Sequence, residues 1–267
     1  MNSRRFPCSL FSLQVLFVSH VILGIPLSLS NPGLDMFSIC RDPKFECGDI
    51  SLGYPFSGEG IEHGCGHPDL QLSCDDGAAM LEIKGVRYKV LQVEHHDRTL
   101  QIARQDLENS LCNPEPEDSI FDSTLFNIIS LIPGYVNVTL LYDCPFPTES
   151  YGVLNCSMKG DIYKNVSFEF EGEGMPPGAG DCSDNNVTVP ILETSLTGTV
   201  LDYQSILKSL NAGFRVQLKD NPECQKCAGT GGTCGFEYVW NQTVCYCRNN
   251  TNLLLQECPP PQAPDKE

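Results

Sequence analysis

The chain has 267 residues, with 34 Asp and Glu against 17 Lys and Arg, and a formal net charge of −17. So acidic a chain is a poor binder of nucleic acid or anionic membrane surfaces, both of which recruit clustered cations. Its 15 cysteines point instead to a disulfide-rich exported protein whose stability does not rest on a large core alone.

Residues 1–30 read as a secretory signal peptide. Arg4 and Arg5 form a basic start, an apolar run covers residues 10–29, and Ser28 and Ser30 are small residues at −3 and −1 of a cleavage before Asn31. An uncleaved anchor is the competing reading, because the run approaches the ~20 residues that span a bilayer. Either way, everything after residue 30 faces outside. Cleavage removes Arg4, Arg5 and Cys8, leaving 15 basic residues, a formal charge of −19 and 14 cysteines. These are Cys40, Cys47, Cys65, Cys74, Cys112, Cys144, Cys156, Cys182, Cys224, Cys227, Cys234, Cys245, Cys247 and Cys258. An even set predicts a framework of disulfides whose pairing stays open. Sequons at Asn137, Asn155, Asn165, Asn186, Asn241 and Asn249 predict a glycoprotein, with Asn155 the weakest because Cys156 is its middle residue. No apolar run after residue 30 is long enough to cross a bilayer.

The mature chain divides into two cysteine-rich modules, mainly β, built of antiparallel strands with one short helix in the second. In the first module (residues 31–112), strands are expected over 70–73, 80–83, 87–93 and 99–103. There Leu81/Ile83, Val86/Tyr88/Val90 and Leu100/Ile102 alternate with polar neighbours. Asp75-Asp76-Gly77 and His96-Asp97-Arg98 supply turns. Residues 113–118 are acidic and Pro-punctuated, as a linker is. In the second module (119–250), residues 135–142 and 166–170 are strand-like, and 171–180 read as loop. Residues 200–211 predict a helix with Tyr203, Leu207 and Leu210 on one face and Gly213 as its stop, followed by a strand over 214–218. The closely spaced cysteines from Cys224 to Cys247, with Gly231-Gly232 between them, predict a stapled hairpin. Residues 251–267 form a Pro-rich tail.

Cys47-Gly48, Tyr54-Pro55-Phe56, Cys65-Gly66-x-Pro68, Leu72-x-Cys74, the strand over 86–93 and Leu107-x-x-x-x-Cys112 occur in that order. Together they resemble the galacturonan-binding domain of plant wall-associated receptor kinases. Gly213-Phe214, Cys224-x-x-Cys227, Gly231-Gly232-x-Cys234-Gly235 and Cys245-Tyr246-Cys247 resemble the wall-associated-kinase C-terminal module that follows it. The pairing is typical of leaf-rust-resistance-locus-type receptor-like kinases. The resemblance implies a pectin or oligogalacturonide ligand in the cell wall and apoplast and, in full-length relatives, a single-pass plasma-membrane protein with a cytoplasmic kinase. This chain carries no Gly-rich phosphate loop followed by Val, no His-Arg-Asp and no Asp-Phe-Gly, and no membrane span follows Cys258. It therefore reads as a non-catalytic ectodomain, either a short form or a truncated gene product.

Lys84, Arg87, Lys89, Arg98 and Arg104 place five of the 15 mature basic residues within 21 positions. Arg87 and Lys89 share a strand face, and Arg suits bidentate capture of a uronate carboxylate. The competing reading is a set of solvated residues balancing local acids. Tyr54, Phe56 and Tyr88 are candidate platforms for sugar rings, although Tyr54-Pro55-Phe56 reads better as a packed turn. Calcium shared between Asp75 or Asp76 and the ligand's uronates is a further binding mode. His63, His67, His95 and His96 are candidate pH sensors. The spacings His63-x-Cys65-x-His67, and Cys224-x-x-Cys227 with Cys245-x-Cys247, suggest zinc, but disulfides take exported thiols first, so no metal or cofactor is expected. A protein-interaction ectodomain, binding a secreted peptide or co-receptor, is the rival function.

Overall fold

The computed structural model describes residues 35–112, 117–128, 134–142, 144, 154–157, 163–172, 182, 186–193, 203–248 and 255–260. The expected signal peptide, residues 113–116 of the linker, loop residues 173–180, Asn249 and most of the tail lie outside the described residues. No described helix is long and apolar enough to cross a membrane.

Period-two alternation builds the first half. A short helix, α1 (Met36–Ile39), precedes β1 (Phe45–Cys47) and β2 (Ile50–Leu52), which pair antiparallel. Then come β3 (Ser57–Gly58), β4 (Gln71–Asp75), β5 (Ala78–Ile83), β6 (Val86–Glu94) and β7 (Thr99–Arg104). β3 runs parallel to β4, and β4 through β7 form an antiparallel meander. Lys84 (φ +50°) and Gly85 (φ +85°) make a two-residue turn between β5 and β6, the left-handed pair that matches strand twist. Along β6, Val86, Tyr88 and Val90 are buried while Arg87 and Lys89 are half-exposed. Leu91 is an extra residue, since the register with β7 steps from Val90↔Ile102 to Gln92↔Gln101, a bulge.

The second half supplies β8 (Phe126–Ile128), β9 (Tyr135–Tyr142), β10 (Leu154–Ser157), β11 (Tyr163–Phe170), β12 (Val187–Leu192), α2 (Tyr203–Ala212) and β13 (Phe214–Leu218). Four of these strands form an antiparallel sheet in the order β10-β11-β9-β12. β13 leaves that neighbourhood and pairs with β7, Phe214 opposite Ile102 and Val216 opposite Leu100, while β8 covers its other edge. The larger sheet therefore has seven strands in the order β3-β4-β5-β6-β7-β13-β8 and draws them from both sides of residues 113–118.

One core serves both sheets. Leu81, Tyr88 and Ile102 share it with Leu140, Phe168 and Val189, and with Ile206 and Leu210 of α2. Phe121, just past the linker, packs at right angles to Phe126 and Phe214, with centroids 5.7 and 5.8 Å away, and tilted against Tyr88 at 5.6 Å. Edge-to-face contacts of this kind add to burial. The helix face differs from expectation: Ile206, Ser209 and Leu210 are buried, whereas Tyr203 and Leu207 are only half-buried. α2 packs against both β12 and β7, so its apolar stripe is turned toward Ile206. Gly213 ends the helix as expected, at φ +71° and where a β-carbon would collide with the Ile102 carbonyl.

The cysteine cluster is more than a hairpin. β14 (Thr233–Glu237) and β15 (Gln242–Tyr246) do pair, but Cys224 and Cys227 sit on α3 (Pro222–Gly229). Asn221 caps that helix, accepting from the amides of Glu223 and Cys224 at 3.0 Å each, with Pro222 at its first turn. Positions i and i+3 share a helix face, so Cys224 reaches Cys234 and Cys227 reaches Cys245. Cys247–Cys258, Cys40–Cys65, Cys47–Cys74 and Cys144–Cys182 are also joined, and Cys112 is disulfide-bonded too. The fold is thus mainly β, disulfide-rich and antiparallel apart from β3, with short helices.

Cys47–Cys74 ties β1 to β4 across a separation of 27 residues. Replacing both cysteines by Ala should lower stability by about 2–4 kcal/mol in urea denaturation of the otherwise oxidised protein. A loss under about 1 kcal/mol would show that the sheet holds this corner without the bridge.

Candidate functional site

The five basic residues do not form one patch. Lys84 sits in the β5–β6 turn and pairs with Asp69 at 3.3 Å. Arg87 and Lys89 point to the same side of β6, as expected. Arg87 pairs with Asp75, with Ser73 Oγ at 3.4 Å, and Lys89 pairs with Glu108 at 2.8 Å. Arg98 lies at the far end of β6, in the turn to β7, and pairs with Asp220 at 2.7 Å. Pairs this exposed contribute about 0–1 kcal/mol each, so a ligand carboxylate displaces them at small cost.

Arg104, Tyr88 and Phe56 leave the candidate list. Arg104 is 3 % exposed. Its Nε and Nη2 donate to the two Asp106 carboxylate oxygens at 3.0 and 2.8 Å, and its Nη1 donates to Ser119 Oγ at 3.0 Å. Burial alone would lower its pKa, but the Asp106 carboxylate raises it overall and keeps the guanidinium charged. Tyr88 and Phe56 are core residues, with the Tyr88 phenol pushed up by burial. Strand alternation turns Tyr88 inward between Arg87 and Lys89. Arg104→Ala should cost about 2–3 kcal/mol in denaturant unfolding, as a buried charged hydrogen-bond hub does. A change within about 0.5 kcal/mol would restore it as a surface residue.

The histidines separate into two kinds. His95 and His96 are exposed in the β6–β7 turn, where the hydrogen bond that His96 Nδ1 donates to the Asp97 carboxylate raises the His96 pKa. His63 stacks on Tyr238 at 4.0 Å. His67 leans on Phe236 at 4.4 Å and accepts the Asp69 amide at Nδ1. Burial lowers the His67 pKa, against opposing pulls from Asp69 and Asp122; Lys84 lowers it further. Below the unfolded value near 6.5 the unfolded chain binds more protons at this site, so stability falls with acidification. The stability lost between pH 7.5 and 5.0 should therefore be smaller in His67→Gln than in the parent. An equal loss would rule out His67 as a contributor. No thiolate is left for a metal in the two motifs that suggest zinc: Cys65, Cys224 and Cys227 are all half-cystines. The sulfurs of Cys245, Cys247 and Cys258 lie within 4.8 Å of one another, but they too belong to disulfides.

Of the sequons, Asn241 is exposed in the β14–β15 turn. Asn137 and Asn186 are half-buried, and Asn137 donates to Glu171 at 2.6 Å. Asn165 is engaged at both ends of its amide, accepting from Cys144 N and donating to Cys144 O, each at 2.8 Å. The Asn155 side chain lies outside the described residues.

Tyr54 lies in an open cleft of about 630 Å³ between α1, the Tyr54-Pro55 cis turn and the α3–β14 region. Arg41, Asp42, Phe37, Thr233 and Arg248 line it as well. Burial raises the Tyr54 phenol pKa, opposed by a hydrogen bond with Thr243. Arg41 and Arg248 were missed by sequence reasoning because they lie at opposite ends of the mature chain, outside the cluster of cations over residues 84–104. The available signal was their position: each directly follows a half-cystine, Cys40 and Cys247.

Residues 40–104 match the family model described as wall-associated receptor kinase galacturonan-binding, and residues 155–250 match wall-associated receptor kinase C-terminal. Among curated proteins the chain is similar to three leaf rust 10 disease-resistance locus receptor-like protein kinase-like proteins of Arabidopsis thaliana. The 1.3 protein is 30% identical over 79% of this chain and 29% of its own length. The 2.8 protein is 28% identical over 80% and 25%, and the 2.3 protein 29% identical over 88% and 36%. The chain thus spans only about a quarter to a third of these relatives. No solved structure matches it. The two matched stretches thus lie in the order that the cysteine motifs predict, and over them the chain is similar to wall-associated and leaf-rust-10-locus receptor-like kinases.

Proposed function

We propose that this protein is a non-catalytic, extracellular polysaccharide-binding module of the plant cell wall, with pectin of the galacturonan type as its ligand. The observation that carries the reading is the galacturonan-binding family match over residues 40–104, the stretch that supplies β1 through β7. That stretch also holds Lys84, Arg87, Lys89 and Arg98, four cations that reach solvent and pair with carboxylates. Their carboxylate partners, Asp69, Asp75, Glu108 and Asp220, offer oxygens to calcium, and a bridging ion would join them to uronates. A signal peptide over residues 1–30 and glycans at exposed sequons fit the same extracellular setting. Asn241 is the best placed of the described sequons, and Asn165 the worst.

The test is calorimetric titration of the secreted, oxidised protein with de-esterified oligogalacturonides, with and without calcium, and with neutral glucan oligomers as control. Saturable binding to the acidic oligomers alone is expected, weakening several-fold between about 50 and 300 mM salt as charge pairs are screened. No heat with any sugar, from folded protein, would overturn the reading.

One observation favours the rival function. Val239 and Trp240, at the tip of the β14–β15 turn, are 81 % and 58 % exposed. An exposed Trp beside a second apolar residue is the kind of anchor that protein interfaces use. A secreted peptide or co-receptor held there would lose affinity on Trp240→Ala, while sugar binding would not change.

A further inference from the structure

We infer that the cleft between α1, the Tyr54 turn and α3 is the subsite that takes the carboxylate of an acidic sugar residue, with Arg41 and Arg248 as its ligands. The inference rests on the polysaccharide reading above and moves the decisive contacts away from β6.

Four observations carry it. First, the charges are unspent. Lys84, Arg87, Lys89, Arg98 and Arg104 each have an acidic partner. Among the described residues, neither Arg41 nor Arg248 has a carboxylate within ion-pair distance, in a chain where acids outnumber bases two to one. Second, both guanidinium groups are held by the same ring: Arg41 lies 6.0 Å and Arg248 5.6 Å from the Phe37 centroid. Phe37 is buried, and a cation resting on an aromatic face keeps its N–H edge free for a bidentate carboxylate. Third, the backbone under each arginine is fixed. Cys40–Cys65 precedes Arg41, and Cys247–Cys258 precedes Arg248. Little order is then lost on binding, which favours affinity. Fourth, the cleft fits the ligand class. Its volume of about 630 Å³ lies within the ~300–1,000 Å³ of small-molecule sites. Tyr54 gives it an aromatic wall, and Asp42, the acidic residue among the described lining, accepts hydrogen bonds from sugar hydroxyls.

The cleft is composite. Arg41 and Tyr54 come from the stretch matching the galacturonan-binding model, and Arg248 from the stretch matching the C-terminal model. Neither stretch alone supplies both arginines.

The test compares two double variants of the full chain, R41A/R248A and K208A/R215A, in titrations with de-esterified oligogalacturonide. Near-ultraviolet circular dichroism serves as the folding control. All four side chains reach solvent, so both variants should fold. The pocket variant should bind roughly tenfold or more weakly, as loss of charged hydrogen bonds does, and the control variant, which removes two exposed cations outside the cleft and β6, within about twofold of the parent. R41K/R248K, which keeps the charge but not the planar fork, should fall between parent and R41A/R248A. Parent-like binding by R41A/R248A, from a parent that binds, would overturn the subsite and leave the polysaccharide reading standing. A folded parent that binds no acidic oligomer would overturn both.

Discussion

The pairing of β13 with β7 is the constraint on which the rest of the structure depends. Phe214 to Gln217 lie against Ile102 to Thr99, more than a hundred residues earlier in the chain. Closing so long a loop is entropically costly, though the cost grows only slowly with length. It is offset by the burial of Val216, Phe214, Ile102 and Leu100 on the core side of the sheet. Once β13 is in place, Asp220 reaches Arg98 and Gln217 reaches the Asp97 carbonyl. The chain then leaves the sheet heading for α3 and the cysteine cluster.

That exit decides where the cluster docks. β14 and β15 come to rest on the first-half segment around His63 to His67: Tyr238 donates to the Gly66 carbonyl at 3.0 Å and Tyr246 to the Gly64 carbonyl at 3.2 Å. Burial lifts the Tyr246 phenol to about 12, so both donors keep their protons throughout the physiological range. A β-carbon on Gly235 would collide with the Tyr246 ring, and Gly64 holds φ +95°, so both glycines are there for close approach. The consequence is a cleft whose two walls belong to segments about two hundred residues apart, with an arginine on each. A module with few helices and many bridges can hold such a site because disulfides, rather than a deep core, fix the local backbone.

How far this was legible in the sequence depends on the range of the interaction. Strands β4 through β7, β9 and β13 follow from alternation or β-branched content within a few residues, and their positions agree with expectation. α3 was hidden because its cysteines, read as staples, masked a helix start marked by Asn221-Pro222. The charge pairs were hidden for a different reason. Asp75 and Glu108 find Arg87 and Lys89 only after the meander folds, so a run of cations that looks free along the sequence is neutralised in space. Arg104 had a local signal in Asp106 two positions on, but only burial reveals that the pair is structural. The opposite error concealed Arg41 and Arg248, which look isolated along the sequence and become neighbours of one phenyl ring only in the fold.

The central claim, that the acidic polysaccharide is gripped where the two halves meet, is tested most directly by amide hydrogen exchange of the full chain with and without de-esterified oligogalacturonide. Slowed exchange in peptides covering residues 36–42 and 245–248, with residues 86–94 unchanged, is the predicted result. Protection confined to residues 71–104 would place the ligand on the open face of the sheet and contradict the account.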